Sequence, residues 1–351
     1  MGIDSVVVKI FLVAFLAFVI AMAWTPLLTH FLYKYKLGKQ IRDEGRSPIF
    51  SKLHQKKSGT PTMGGILVWV TVLVLSVVIY YLSLWFDNYF TFLNFLTRPQ
   101  TLLPLGCLVA AALVGLIDDY LNVRKIGPYG GGLSVTHRLI VYTVIAIVAA
   151  FWFYFRLDWD LLRIPFIGNF EIGWWFIPLV IFVIVSTAFS VNEIDGLDGL
   201  AGGTLLISYI SFGAIAFAQG RFDLAAFCGA IAGALLAFLW FNIMPARFFM
   251  GDTGAMSLGV TLAVIAILTN SILLLPIIGF MYVVESASVI IQVTSKKLRN
   301  GKKIFLSTPI HHHFEAIGWP EAKVVMRFWV VSGVMAIVGL VIFLTDTGAW
   351  K

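Results

Sequence analysis

The chain has 351 residues, of which 60% are hydrophobic and 12% charged, against about 45–50% and 25% in ordinary soluble domains. That balance excludes a soluble globular enzyme, a disordered chain and a disulfide-built secreted protein; at roughly 20 residues per membrane span it allows about ten spans. The formal charge is +7, and where the charges fall along the chain matters more than their sum.

The first apolar run, from about Val6 to Tyr33, is too long for the hydrophobic region of a cleaved signal peptide and lacks a clear small-residue cleavage site, so it reads as the first span. Further runs fall near 63–86, 101–121, 134–155, 174–191, 199–218, 223–243, 253–273, 275–295 and 323–345. They predict an all-α integral-membrane protein of about ten helices, one domain over 1–351, with no internal repeat. Unbroken runs do not fit the alternating strands of a transmembrane barrel. Cys107 and Cys228 lie inside apolar runs, away from other Cys or His, and read as buried small hydrophobes.

Lys and Arg set the expected orientation. Lys34, Lys36, Lys39, Arg42, Arg46, Lys52, Lys56 and Lys57 follow the first run; Arg124, Lys125 and Arg138 flank the third connection; Arg247 follows the seventh run; Lys296, Lys297, Arg299, Lys302 and Lys303 follow the ninth. Only Lys9, Arg98, Arg156, Arg163, Arg221 and Lys351 fall on the other side. Positive charge marks the cytoplasmic side, so both termini are expected outside and the active-site cleft on the cytoplasmic face. All six histidines, including His30, His54 and His137, map to that face.

Five motifs there are candidates for chemistry, and one further polar pair lies inside a span. KKSGTPTMGG (56–65) places Lys57, Thr60 and Thr62 before a glycine-containing helix entry, which fits an anion-binding helix start or a plain positive-inside flank. Asp118-Asp119 closes the third run; two adjacent carboxylates there call for solvent, a partner or a metal, and their divergence of about 100° lets them serve different ligands. NEIDGLDGLAGG (192–203) repeats Asn192, Asp195 and Asp198 every three residues, close to one face if helical, in an acidic, glycine-rich loop that suits Mg²⁺ or a sugar and base edge. In ARFFMGDTGAMSLG (246–259), Asp252 precedes an apolar helix as an N-cap or a metal carboxylate. Glu285 and Gln292 lie seven residues apart inside the ninth run and read as interhelical hydrogen-bonding groups. In TPIHHHFE (308–315), three consecutive histidines suit hydrogen-bond donation to phosphate better than one compact zinc site.

Taken together, GTPTMGG, GLIDDY, NEIDGLDGLAGG, FMGDTG with SLG, and PIHHHFE followed by GWPEAKVVMRFW resemble the phospho-N-acetylmuramoyl-pentapeptide transferase family, in family order and over essentially the whole chain. The resemblance implies transfer of phospho-N-acetylmuramoyl-pentapeptide from its UDP carrier to undecaprenyl phosphate, giving UMP and a diphosphate-linked lipid, with Mg²⁺ as cofactor. It implies catalytic roles for Asp118, Asp119, Asp252 and His311, with Asp252 as the Mg²⁺ ligand. Asp118 would act as base in a one-step transfer or as nucleophile in a two-step one. The substrate pocket it implies comprises Lys57, Thr62, Asn192, Asp195, Gly196, Leu197, Asp198, Phe249, Gly251, His312 and His313. It further implies a multi-pass protein of the bacterial inner membrane, UDP-N-acetylmuramoyl-pentapeptide and undecaprenyl phosphate as partners, a homodimer, and no nucleic acid.

Three positions depart from the family pattern: Asn122 and Arg138 where the family commonly has Lys, and Glu193-Ile194 where it has Leu-Thr. The alternatives are a sister transferase using UDP-N-acetylglucosamine, against which HHHFE argues, and an ion-coupled transporter. The transporter would place ionisable groups near the bilayer midplane rather than at one face.

Overall fold

Long apolar runs with few charges leave the backbone no option in a bilayer but helix, because helices satisfy their own N–H and C=O groups. The computed structural model describes residues 2–38, 57, 59–86, 89–97, 100–128 and 131–348. Lys39, Arg42, Arg46, Lys52, His54, Lys56, Arg98 and Lys351 lie outside the described residues.

The elements in order are α1 (Ile3–Lys34), α2 (Ile66–Trp85), a short α3 (Tyr89–Leu93), α4 (Leu102–Val123), α5 (Val135–Phe151) with a π turn over Trp152–Arg156, β1 (Leu161–Ile164) and β2 (Gly168–Glu171). There follow α6 (Phe176–Ile194), α7 (Leu200–Ala218), α8 (Phe222–Asn242), α9 (Gly251–Leu268), α10 (Leu275–Ile278), α11 (Phe280–Leu298), α12 (Ile310–Ala316) and α13 (Glu321–Thr347). Among the described residues nine helices are long and apolar enough to cross a membrane, or ten with one bent pair counted as a single span. The protein is an all-α, multi-pass membrane protein.

The bent pair corrects the straight helix expected over 275–295. Residues Ile272–Ile278 and Phe280–Leu298 meet at 80°. Gly279 is the break: it leaves helical geometry (φ −92°, ψ 31°), and a Cβ there would crowd the Tyr282 ring and the Leu275 carbonyl.

Helix α9 forms the centre of the bundle, buried along nearly its whole length and packed mainly against α4 and α6. Small residues permit this: Gly115 of α4 lies against the backbone of Asp252 and Thr253. The antiparallel hairpin, pairing Leu161 with Glu171 and Ile164 with Gly168, was not expected from sequence; it is pinned to the end of α13 by Asp346. Asp346 takes Arg163 Nε at 2.7 Å and the Phe166 N–H at 2.7 Å. At that same end Lys9, buried, donates to Asp223 at 2.8 Å and to the Asn94 carbonyl at 2.7 Å. Alternation of the helices therefore gathers residues 57, 59–65, 118–128, 131–138, 192–199, 246–253 and 311–321 at the opposite end.

Candidate active site

Arg138, in the first turn of α5, is the hub of this end. Its Nε lies 2.7 Å from Asp118 Oδ2, its Nη1 donates to Asn192 Oδ1 at 2.9 Å, and its Nη2 donates to Asp252 Oδ2 at 2.9 Å. Asn192 Nδ2 donates in turn to Asp252 Oδ1 at 2.5 Å. Asp118 is fully buried and accepts the Leu133 N–H at 2.5 Å. Three helices thus bring two carboxylates and a carboxamide around one planar cation, whose fork of donors can hold several oxygens at once. Asp252 sits inside the first turn of α9 with its carboxylate on Asn192 and Arg138, so the N-cap alternative does not hold.

Asp119 turns away from its neighbour, as adjacent helical positions must. It accepts from Thr62 Oγ1 at 3.2 Å and from the Thr253 N–H at 3.0 Å, so it ties the segment before α2 to the start of α9. Gly251 lies between them in the left-handed region (φ +73°), where a Cβ would strike the Asp119 carboxylate and Thr62. Its N–H donates to Asp195 Oδ2 at 3.2 Å.

The segment before α2 is not an anion-binding helix start. The Gly64 and Gly65 N–H groups bond the carbonyls of Phe249 and Met250 at 2.7 and 2.8 Å, and the Phe249 N–H bonds the Pro61 carbonyl at 2.8 Å. The amides such a site would offer are spent on joining 61–65 to 249–250. Lys57 instead works through its side chain. Its ammonium donates to Asp198 Oδ1 at 2.7 Å and to Glu321 Oε1 at 2.5 Å, with the Phe249 ring centroid 6.0 Å away. Asp198 also accepts the Ala246 N–H at 3.0 Å, and its own N–H donates to Glu321 at 2.8 Å.

Asn192, Asp195 and Asp198 do not share one helical face. Helix α6 ends at Ile194 and α7 starts at Leu200 after Gly199 (φ +83°), so Asn192 closes a helix while the two aspartates line the turn. They point to three partners: the Arg138 hub, Gly251 and Lys57. Leu197 of the same turn is buried.

The histidines diverge. His311, fully buried in α12, places Nδ1 3.0 Å from Glu285 Oε1. Burial works against its imidazolium, yet the Glu285 charge and hydrogen bond, with Glu315 and Glu193 beyond, outweigh burial and raise its pKa above the ordinary imidazole value. Gly196 lies against His311 Nε2 where a Cβ would clash. His312 Nδ1 lies 2.7 Å from Glu315, and His313 Nδ1 accepts the Leu306 N–H at 3.2 Å beside the Phe305 ring. Three such directions make no shared metal site, and among the described residues no group of three His, Cys, Asp or Glu is placed to hold one. Gln292 clamps the loop after α11, accepting from Ile304 and Phe305, rather than bonding a neighbouring helix.

Asp118, Asn192 and Asp252 are thus brought together; Asp119, Thr62, Asp195 and Gly251 form a second layer; Lys57, Asp198 and Phe249 form a third. His313 faces its own loop. Sequence reasoning undervalued Arg138, which it marks only as a topology charge and a departure; Glu285, expected as an interhelical hydrogen-bonding group, is one, joining α11 to His311 of α12. Sequence reasoning passed over Glu321, whose one signal is a carboxylate following Pro320 at the head of an apolar helix.

The glycosyl transferase family 4 model matches residues 101–270, and a phospho-N-acetylmuramoyl-pentapeptide-transferase signature matches residues 57–67. A Bacillus anthracis protein named phospho-N-acetylmuramoyl-pentapeptide-transferase is 42% identical over 335 residues, covering 95% of this chain and 96% of its own. Proteins of the same name from Chloroflexus aggregans and Listeria monocytogenes are 39% and 40% identical. The first covers 94% of this chain and 88% of its own, the second 92% and 95%. The chain belongs to the phospho-N-acetylmuramoyl-pentapeptide-transferase family.

Proposed function

We propose that the protein transfers phospho-N-acetylmuramoyl-pentapeptide from UDP to undecaprenyl phosphate, the first membrane step of peptidoglycan synthesis. A lipid phosphate oxygen attacks the sugar-linked phosphorus of the UDP-sugar, the bond to the bridging oxygen breaks, and UMP leaves. The observation that carries this reading is the convergence of Asp118, Asn192 and Asp252 on Arg138 at the end of the bundle where Lys57 also lies.

Phosphoryl transfer asks the protein for positioning and charge stabilisation more than for covalent chemistry. A phosphate with a second ionisation near pH 6 is already nucleophilic at neutral pH. Asp118, buried and paired with Arg138, therefore acts by orienting the guanidinium toward the diphosphate. Lys57 supplies a second cation, steadied by Asp198 and Glu321. The His311–Glu285 pair carries a proton next to Gly196 in the substrate loop, as a donor to a phosphate oxygen.

Asp252, with Asp118 and Asn192, would hold Mg²⁺. All three present hard oxygen donors, and one or two carboxylates completed by substrate phosphate oxygens are what that ion takes. When bound, Mg²⁺ neutralises charge on the diphosphate. In this reading the site faces the cytoplasm of a bacterial plasma membrane, supported by the crowding of Lys and Arg at this end.

The test is UMP release by purified protein in detergent. The reading expects release only when undecaprenyl phosphate, UDP-N-acetylmuramoyl-pentapeptide and Mg²⁺ are all present. Folded protein that releases no UMP with all three would overturn it.

A further inference from the structure

Buried polar atoms almost always find a hydrogen-bond partner, so each exception asks for an explanation. Among the described residues nine buried side-chain atoms lack an aligned hydrogen bond. Those on Asp118, Asn122, Arg138, Tyr142, Glu285 and His311 belong to residues in or beside the site; Thr97, Gln219 and Ser332 account for the rest. Asp118 and Arg138 have each other as ion-pair partners, as do Glu285 and His311. Tyr142 has no such compensation.

Tyr142 is fully buried, four residues after Arg138 on α5 and so on the same helical face. Its charged neighbours are Asp252, Arg138, Asp118 and Glu193. A buried tyrosine hydroxyl ordinarily finds a partner, and a phenylalanine would fill the same space with no polar atom to satisfy. A phenol beside two carboxylates and a guanidinium, with its hydroxyl unspent, is a neutral donor held ready for an acceptor brought from outside. An ionised phosphoryl oxygen accepts and does not donate, and one must enter this site if the proposed reaction occurs here.

We propose that the Tyr142 hydroxyl donates a hydrogen bond to a phosphoryl oxygen of bound substrate, beside the Arg138 guanidinium. The inference rests on the transferase reading above. The phosphate can come from the UDP-sugar or from the lipid, and separate binding measurements distinguish the two.

Tyr142→Phe removes only the oxygen. In the free protein that oxygen has no hydrogen-bond partner among the described residues, so the melting temperature in detergent is expected to stay the same or rise. Turnover is expected to fall about 10- to 100-fold in kcat/KM, the span for a hydrogen bond to a charged group. Affinity is then measured for UDP-N-acetylmuramoyl-pentapeptide alone and for undecaprenyl phosphate alone. A loss in one identifies the phosphate that Tyr142 contacts; a loss in kcat with neither affinity changed assigns the bond to the transition state. A variant with wild-type kcat/KM overturns the inference, and so does one that no longer folds, because its hydroxyl would then have a structural partner. Wild-type protein that is folded but inactive defeats the transferase reading itself, a result distinct from an active wild type matched by the variant.

Discussion

Arg138 donates to Asp252 across 2.9 Å although 114 residues separate them in the chain, and the same guanidinium reaches Asn192 at 2.9 Å and lies 2.7 Å from Asp118. One planar cation thus fixes the spacing of the groups assigned to the reaction. Arg138→Lys keeps the charge but loses the fork, so turnover is expected to drop at least tenfold while the fold persists. Arg138→Ala leaves Asp118 buried without its cation, at a cost of about 3–5 kcal/mol. Melting temperature and turnover of the two variants, measured in the same detergent, separate these effects.

Asp252→Asn retains the shape and one oxygen acceptor but removes the charge. The expected outcome is a folded protein with no Mg²⁺-dependent turnover. Near-normal activity across a Mg²⁺ titration would take Asp252 out of the metal-holding role.

Gly196 and His311 meet without room for a methyl group. Gly196→Ala is expected to push the imidazole off Glu285, with destabilisation of about 1–3 kcal/mol from overpacking and a fall in turnover. Thermal melting together with a UMP-release assay checks both, and unchanged values would mean that the loop shifts without consequence.

Much of the frame was legible because hydropathy is a local property: apolar runs became helices close to where they were expected, and among the described residues most Lys and Arg lie at one end. The bend at Gly279 was hidden, since a glycine inside an unbroken apolar run changes no hydropathy signal. The hairpin 161–171 was hidden because its strands are four residues each and its anchor, Asp346, lies far along the chain. The acidic motifs hold Asp118, Asn192 and Asp252, which the fold brings together at Arg138. Their partners stayed obscure because the pairings are long-range: Lys57 meets Glu321 from 264 residues away, and no local pattern encodes that distance.

The Lys57–Glu321 pair is expected to be energetically coupled. Each partner is mostly buried, and Glu321 also receives the Asp198 N–H. A double-mutant cycle with Lys57→Met and Glu321→Gln should give a coupling of about 1–3 kcal/mol in thermal or denaturant stability. Additive effects would show that the two side chains act independently.

His311 gives a pH dependence with a defined sign. Its folded pKa is raised by Glu285 against the pull of burial. The stabilisation it contributes is therefore complete below the ordinary imidazole pKa of about 6.5 and is lost as pH rises through the higher folded value. Melting temperature should decline over that window in the wild type and decline less in His311→Gln. Parallel profiles would contradict the assignment.

The central claim is that this site transfers phospho-N-acetylmuramoyl-pentapeptide to a lipid phosphate. Its most direct test offers purified protein undecaprenyl phosphate, Mg²⁺ and equal amounts of UDP-N-acetylmuramoyl-pentapeptide and UDP-N-acetylglucosamine, and reads the mass of the lipid product. The account predicts undecaprenyl diphosphate bearing the muramoyl pentapeptide. A product bearing N-acetylglucosamine, or no lipid-linked sugar from folded protein, would contradict it.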